Sequence, residues 1–227
     1  MSDHQVLRDY YEARAPWYDN ADQGPAPPWV DRMTGDLQNA LRDRRVLEIA
    51  CGTGHWTREA TRVATSVTAV DSSPAMREIA RAKLAGGPPV TLVDADAYTL
   101  DGVPGGFTGG LAMQWISHVP ATRRASFFAA FHTRLTPDAV VFLGDNMPTG
   151  GWGDRLLGRP GSADTYEERE VPGRAPYVIV KNYFTEAELR AMVAPFGTEV
   201  RIVLDDRWWW LSYRLTALDE RCPEGTE

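Results

Sequence analysis

The chain has 227 residues, enough for one well-packed domain with an embellishment. Hydrophobic residues make up 43% and charged residues 24%, a globular balance, and the net charge of -7 argues against a nucleic-acid scaffold, which would carry a basic face. Cys51 and Cys222 form neither a disulfide framework nor a metal cluster, no apolar run is long enough to span a membrane, and no signal peptide is apparent, so a reduced, cytoplasmic protein is expected.

In chain order, residues 5–15 are expected to form a short helix stopped before Pro16, with Tyr10, Tyr11 and Tyr18 around it. "DNADQGPAPPW" (19–29) reads as a loop or lid, and 30–42 as a helix with Val30, Met33, Leu37 and Leu41 on one side. "RVLEIA" (45–50) is a nearly continuous apolar run, as a parallel strand covered on both faces requires. "CGTG" turns the chain into a helix over 55–64, and "SVTAVD" (66–71) is the second strand. "SSPAMREIARAKLA" opens with serines and a proline and continues at helical spacing. A third strand is expected at 89–94, a fourth within "GFTGGLAMQWI", a helix over 121–135 and a fifth strand over 138–146. This alternation predicts an α/β fold with a doubly wound, mostly parallel sheet.

The pattern breaks at 147–176, rich in Gly, Pro and charge, which reads as an active-site insertion holding a short helix or hairpin. A strand follows at 177–184, then a helix with Thr185 as N-cap and Glu188 at capping-box spacing. Two closely spaced final strands favour an antiparallel pair, and 219–227 is expected to fray. The whole reads as a single domain, 1–227, with an N-terminal helical lid over about 1–42.

The glycine turn raises the question of its ligand. Gly52 and Gly54 remove side chains where backbone must approach a ligand, and the next helix offers N–H groups to an anion. A dinucleotide fingerprint needs a third glycine, and Thr57 stands there; a Walker lysine is also absent. Glu48 interrupts the apolar strand and needs a partner, which an ammonium group would satisfy directly or through water. Asp71 ends the second strand, where a carboxylate can accept both hydroxyls of a ribose. Asp96, with Asp94 as its rival and the Ala97 amide beside it, can take an adenine amino group. An ammonium, a carboxylate, a ribose and an adenine without diphosphate describe S-adenosyl-L-methionine.

On these residues the chain resembles the class I S-adenosylmethionine-dependent methyltransferases. "VLEIACGTGHWT" is similar to the first motif of that family, with Ala50 in place of the usual first glycine. "VTAVDSSPAM" resembles the second, "VDADAYTL" the third and "LAMQWISHVP" the region after the fourth strand. The resemblance implies a seven-stranded Rossmann-like sheet whose last strand is antiparallel. It implies cofactor contacts at Glu48, Ala50, Cys51, Gly52, Thr53, Gly54, Asp71, Ser72, Asp96, Ala97, Gln114 and Trp115. In related enzymes tyrosines in an arrangement like "YYEARAPWYD" close over the methionine portion, which implies Tyr11 and Tyr18. Trp56 and Met76 are expected as pocket walls.

The acceptor side is less legible. His118 can serve as a general base, its plainer role being a loop residue before the next helix. His4 and His132 stand in no motif. Asp145, Asn146, Tyr166, Lys181, Asn182 and Tyr183 are candidates to orient an acceptor. Trp208 and Trp210 share one strand face and Trp209 takes the other, which suggests helix packing on one side and a partly exposed or dimer surface on the other. Pocket walls of Trp and Tyr suit a small aromatic or amphipathic acceptor, methylated on oxygen or nitrogen. The alternatives are a protein methyltransferase, a nicotinamide-dependent oxidoreductase, or a cofactor-binding partner protein without activity. No residues with metal-ligand spacing stand out.

Overall fold

The computed structural model describes residues 1–21, 28–148 and 155–216; parts of the expected lid loop and insertion, and the expected frayed end, lie outside the described residues. Five parallel strands are laid down first: β1 (Arg45–Ile49), β2 (Ser66–Asp71), β3 (Val90–Asp94), β4 (Phe107–Met113) and β5 (Leu135–Asn146). Between and before them run α1 (Asp3–Arg14), α2 (Pro28–Leu41), α3 (His55–Thr61), α4 (Pro74–Leu84) and α5 (Arg124–His132). The expected helix over 121–135 is thus shorter, with a 3₁₀ turn at Ala121–Arg123 before it, and β5 begins earlier than expected.

Residues 155–180 carry three short strands: β6 (Leu157–Gly158), β7 (Thr165–Arg169) and β8 (Tyr177–Val180). They form an antiparallel sheet of their own, so the strand expected at 177–184 does not join the main sheet. Then follow α6 (Glu186–Val193), β9 (Gly197–Leu204) and β10 (Trp208–Leu215). The capping box between Thr185 and Glu188 is formed.

The main sheet has seven strands in the order β3-β2-β1-β4-β5-β10-β9. β10 inserts antiparallel between β5 and β9. The order reverses beside β1, where β2 lies on one side and β4 on the other, and doubly wound sheets open a crevice at such a switch. Gly110 belongs to the packing of β4 against α5, since a Cβ there would stand 2.7 Å from the Phe131 ring.

Both faces of the sheet are covered. Leu47 and Ile49 join the core on one face with Phe127, Phe131 and Trp209, while Val46 joins Met33, Leu37, Trp56 and Trp210 on the other. The Trp triplet alternates as expected, but no free face remains: Trp209 and Trp210 are each 1% exposed. Trp210 Nε1 donates to Asp36 at 2.8 Å, and only half-buried Trp208 reaches the edge, stacked on Trp29.

Candidate active site

A cleft of about 690 Å³, open to solvent, lies at the C-terminal ends of β1, β2 and β4. Its floor is the turn after β1. Ala50, Gly52 and Gly54 all have left-handed backbones there, with φ of 52°, 54° and 79°. That conformation lets the chain reverse tightly into α3; glycine adopts it freely and alanine at some cost. Ala50 and Gly52 line the cleft.

Asp71 fastens two walls together. Its Oδ2 accepts the Gly52 N–H at 2.8 Å and its Oδ1 accepts the Ser73 N–H at 2.9 Å. Burial raises its pKa above the usual carboxylate value, while the two amides and Arg77 oppose that rise. Ser73 caps α4 by accepting from Met76, which places Ser72, Ser73 and Met76 along one wall. Ala95, Ala97, Gln114 and Trp115 form the opposite side.

The N-terminal segment covers the cleft. His4, Leu7, Arg8 and Tyr11 recur at helical spacing on α1, and all line it, as does Tyr18 from the following 3₁₀ turn. Glu12 accepts from the Ser73 hydroxyl at 2.5 Å and from the Ala75 amide at 3.2 Å, so α1 is tied to the start of α4. Asp19, Thr53 and Lys83 form a second tie: Lys83 Nζ stands 2.8 Å from Asp19 and 3.0 Å from Thr53 Oγ1, which donates to Asp19 at 2.8 Å. His4, Leu7 and Arg8 were not singled out from the sequence, although their spacing with Tyr11 was the available signal.

Several expected contacts stand behind the wall instead. Glu48 is 1% exposed and shares the face of Val46, so it points under the turn toward α3. Its Oε2 has no hydrogen-bond partner among the described residues, and burial pushes its pKa up to about 8. Cys51 is buried, with its amide given to Val70 and its thiol pushed well up by burial. Thr53 serves the Asp19–Lys83 tie, and the space over Gly54 is filled by Ala80 and Leu84. Trp56 packs against Trp208 in the core with α2. Asp96 does not line the cleft, although its neighbours Ala95 and Ala97 do; it accepts from the Tyr98 amide and stands 3.6 Å from His4. Its rival Asp94 is engaged twice by Arg77.

His118 also lies outside the lining. Its Nδ1 faces the Val180 carbonyl at 2.7 Å and its Nε2 faces the Tyr11 hydroxyl at 2.8 Å. A carbonyl can only accept, so Nδ1 carries the proton and Nε2 accepts from Tyr11. Burial and the Lys181 charge hold its pKa down to about 3. The expected general base is therefore a neutral, fully engaged ring behind Tyr11.

Among the acceptor-side candidates, Asp145, Lys181, Asn182 and Tyr183 are each engaged in side-chain hydrogen bonds. Lys181 Nζ donates to Asp145 and to Ser117, each at 2.8 Å. Burial, the largest single influence, acts to raise the Asp145 pKa, but Lys181, His118 and the Asn146 amide together outweigh it and hold the carboxyl low. Asn182 donates to Asp164, and Tyr183 donates to Glu167 at 2.7 Å. The Lys181 bonds pin the small sheet to the ends of β4 and β5. His132 serves the core, 2.7 Å from the Tyr213 hydroxyl. Among the described residues no cluster of His, Cys, Asp and Glu is arranged to hold a metal, and no helix is long and apolar enough to cross a membrane.

Residues 46–138 match the methyltransferase domain family. An uncharacterized methyltransferase of Oceanobacillus iheyensis is 27% identical over 145 residues, a match that spans 61% of this chain and 66% of that protein's length. The fold is similar to that of DhpI in its complex with SAH, with a TM-score of 0.74, 24% identity and coverage of 93% and 96% of the two chains. It is also similar to the magnesium protoporphyrin IX methyltransferase ChlM of Synechocystis PCC 6803 with bound SAH (TM-score 0.63, 16% identity, coverage 94% and 100%). The domain match over residues 46–138, with the seven-stranded order and its antiparallel insertion, supports a class I S-adenosylmethionine-dependent methyltransferase.

Proposed function

We propose that the protein transfers a methyl group from S-adenosyl-L-methionine to an oxygen or nitrogen of a small aromatic or amphipathic metabolite. It does so in the cytoplasm, without a nucleic-acid or membrane partner. The observation that carries this reading is the Asp71 carboxylate at the head of the cleft. Each oxygen retains a lone pair after its amide bond, and two adjacent acceptors match the vicinal hydroxyls of a ribose.

The residues around it fit the rest of that cofactor. A Cβ on Gly52 would meet no atom within 4 Å, so the turn leaves room for a ligand against its backbone. Leu7, Ala95, Ala97 and Trp115 offer an apolar slot for adenine. Tyr11, Tyr18 and Gln114 are the polar groups available to the methionine portion. The similar structures solved with SAM or SAH, DhpI and ChlM, share this fold, which supports the same ligand here.

When bound, S-adenosylmethionine supplies an electrophilic methyl carbon on a positively charged sulfur. The protein's part is to orient the acceptor and keep bulk water out. The N-terminal segment and the insertion carrying β6–β8 do this together, joined where the Tyr10 ring meets Tyr177 edge-on at 5.7 Å. With His118 engaged behind Tyr11, methyl transfer proceeds here by proximity and desolvation of an acceptor that arrives ready to react.

The test is incubation with methyl-labelled S-adenosylmethionine and a panel of small aromatic and amphipathic metabolites. Label is expected on a small acceptor. Label only on added protein, or tight SAH binding with no transfer at all, contradicts the reading.

A further inference from the structure

We propose that His118 is a positioning residue for Tyr11: it draws the phenolic proton away from the cleft, so that the Tyr11 oxygen presents only lone pairs to the bound ligand and favours a positively charged sulfur over a neutral one. The inference rests on the cofactor reading above.

Tyr11 lines the cleft and His118 does not, so the imidazole lies behind the tyrosine that forms the wall. The Tyr11 hydroxyl and His118 Nε2 are 2.8 Å apart. The proton's direction follows from the other ring nitrogen. Val180 offers only a carbonyl oxygen, 2.7 Å from Nδ1, and a neutral imidazole that donates there must accept at Nε2. The ring is 4% exposed and held between these partners, so it cannot readily turn.

The surroundings keep both groups neutral. Burial, then the nearby Lys181 ammonium, disfavours a proton on Nε2, although Asp145 and the Val180 carbonyl act the other way. Burial also pushes the Tyr11 phenol well above its ordinary value, with Tyr18, Tyr10 and Asp145 adding to the rise and Arg169 opposing it. A phenol whose one proton is committed elsewhere can only accept. Facing a sulfonium it is attractive; facing the thioether product it offers little. The pair therefore helps the cleft take the charged cofactor and release the uncharged product.

The experiment is calorimetric titration of S-adenosylmethionine and S-adenosylhomocysteine into the wild type, Tyr11→Phe, His118→Phe and the double variant. Tyr11→Phe leaves the core intact and keeps the test valid if His118→Phe fails to fold. Each single change is expected to weaken S-adenosylmethionine by about fivefold, as for loss of one charge-assisted contact, and to leave S-adenosylhomocysteine within about twofold. The double variant is expected to match the Tyr11→Phe protein. Equal weakening of both ligands by Tyr11→Phe overturns the proposal while leaving the cofactor reading intact. A wild type that binds neither ligand overturns that reading, and the proposal with it.

Discussion

Asp71 accepts the backbone N–H of Gly52 through one carboxylate oxygen at 2.8 Å and that of Ser73 through the other at 2.9 Å. One side chain thus holds the turn after β1 against the turn after β2, across the place where the sheet order reverses. Asn at this position keeps one acceptor and turns an amide NH₂ toward the other backbone donor. Asp71→Asn is expected to cost about 1–3 kcal/mol of stability, read as a lower denaturant midpoint. An unchanged midpoint would mean that the two turns hold without it.

Glu48 gives the fold a pH dependence. Its carboxyl is raised from the ordinary 4.5 to about 8 by burial, so the folded chain binds a proton that the unfolded chain releases. Stability is then fullest below about pH 4.5 from this group alone and falls as the pH climbs toward 8. Glu48→Gln removes that loss. It is expected to stabilise the protein by on the order of 2–4 kcal/mol at pH 8.5 and by much less at pH 5, measured by thermal melts at the two values. Equal effects at both would mean that Glu48 is ionised in the fold.

Ala50 carries a left-handed backbone, φ 52°, without being glycine. Ala50→Gly relieves that conformation, partly offset by the freedom glycine gains in the unfolded chain, and a net gain of about 0.5–1 kcal/mol is expected. A lower denaturation midpoint would show that the methyl contributes packing worth more than the strain.

Lys83, Asp19 and Thr53 close the cleft from outside. Lys83→Met leaves the core untouched and removes the charged centre of this tie. Stopped-flow measurement is expected to show S-adenosylhomocysteine leaving roughly 3–10 times faster, with less dependence on salt than in the wild type. An unaltered release rate would mean that the N-terminal segment is held by the Glu12–Ser73 contact and apolar packing alone.

The turn, Asp71 and the strand order were legible because each rests on local chemistry: glycines where backbone reverses, an acid where a strand ends, apolar runs at strand length. The face of Glu48 is also written in the sequence, since it alternates with Leu47 and Ile49. The small sheet was not legible. β6 is only Leu157–Gly158, β7 carries three charges in Thr165–Arg169, and neither shows a clean period. The role of His118 depends on Tyr11, 107 residues away, and on the Val180 carbonyl, neither of which spacing reveals. The full burial of Trp210 likewise depends on Asp36 and Arg32 from α2.

The measurement that bears most directly on the account is calorimetric titration of S-adenosylhomocysteine into the wild type and Asp71→Ala, with a nicotinamide dinucleotide as control. The account predicts saturable binding of one S-adenosylhomocysteine per chain, an affinity at least about tenfold weaker in the variant, and no heat from the dinucleotide. A folded wild type that ignores S-adenosylhomocysteine, or a variant that binds it equally well, would contradict it.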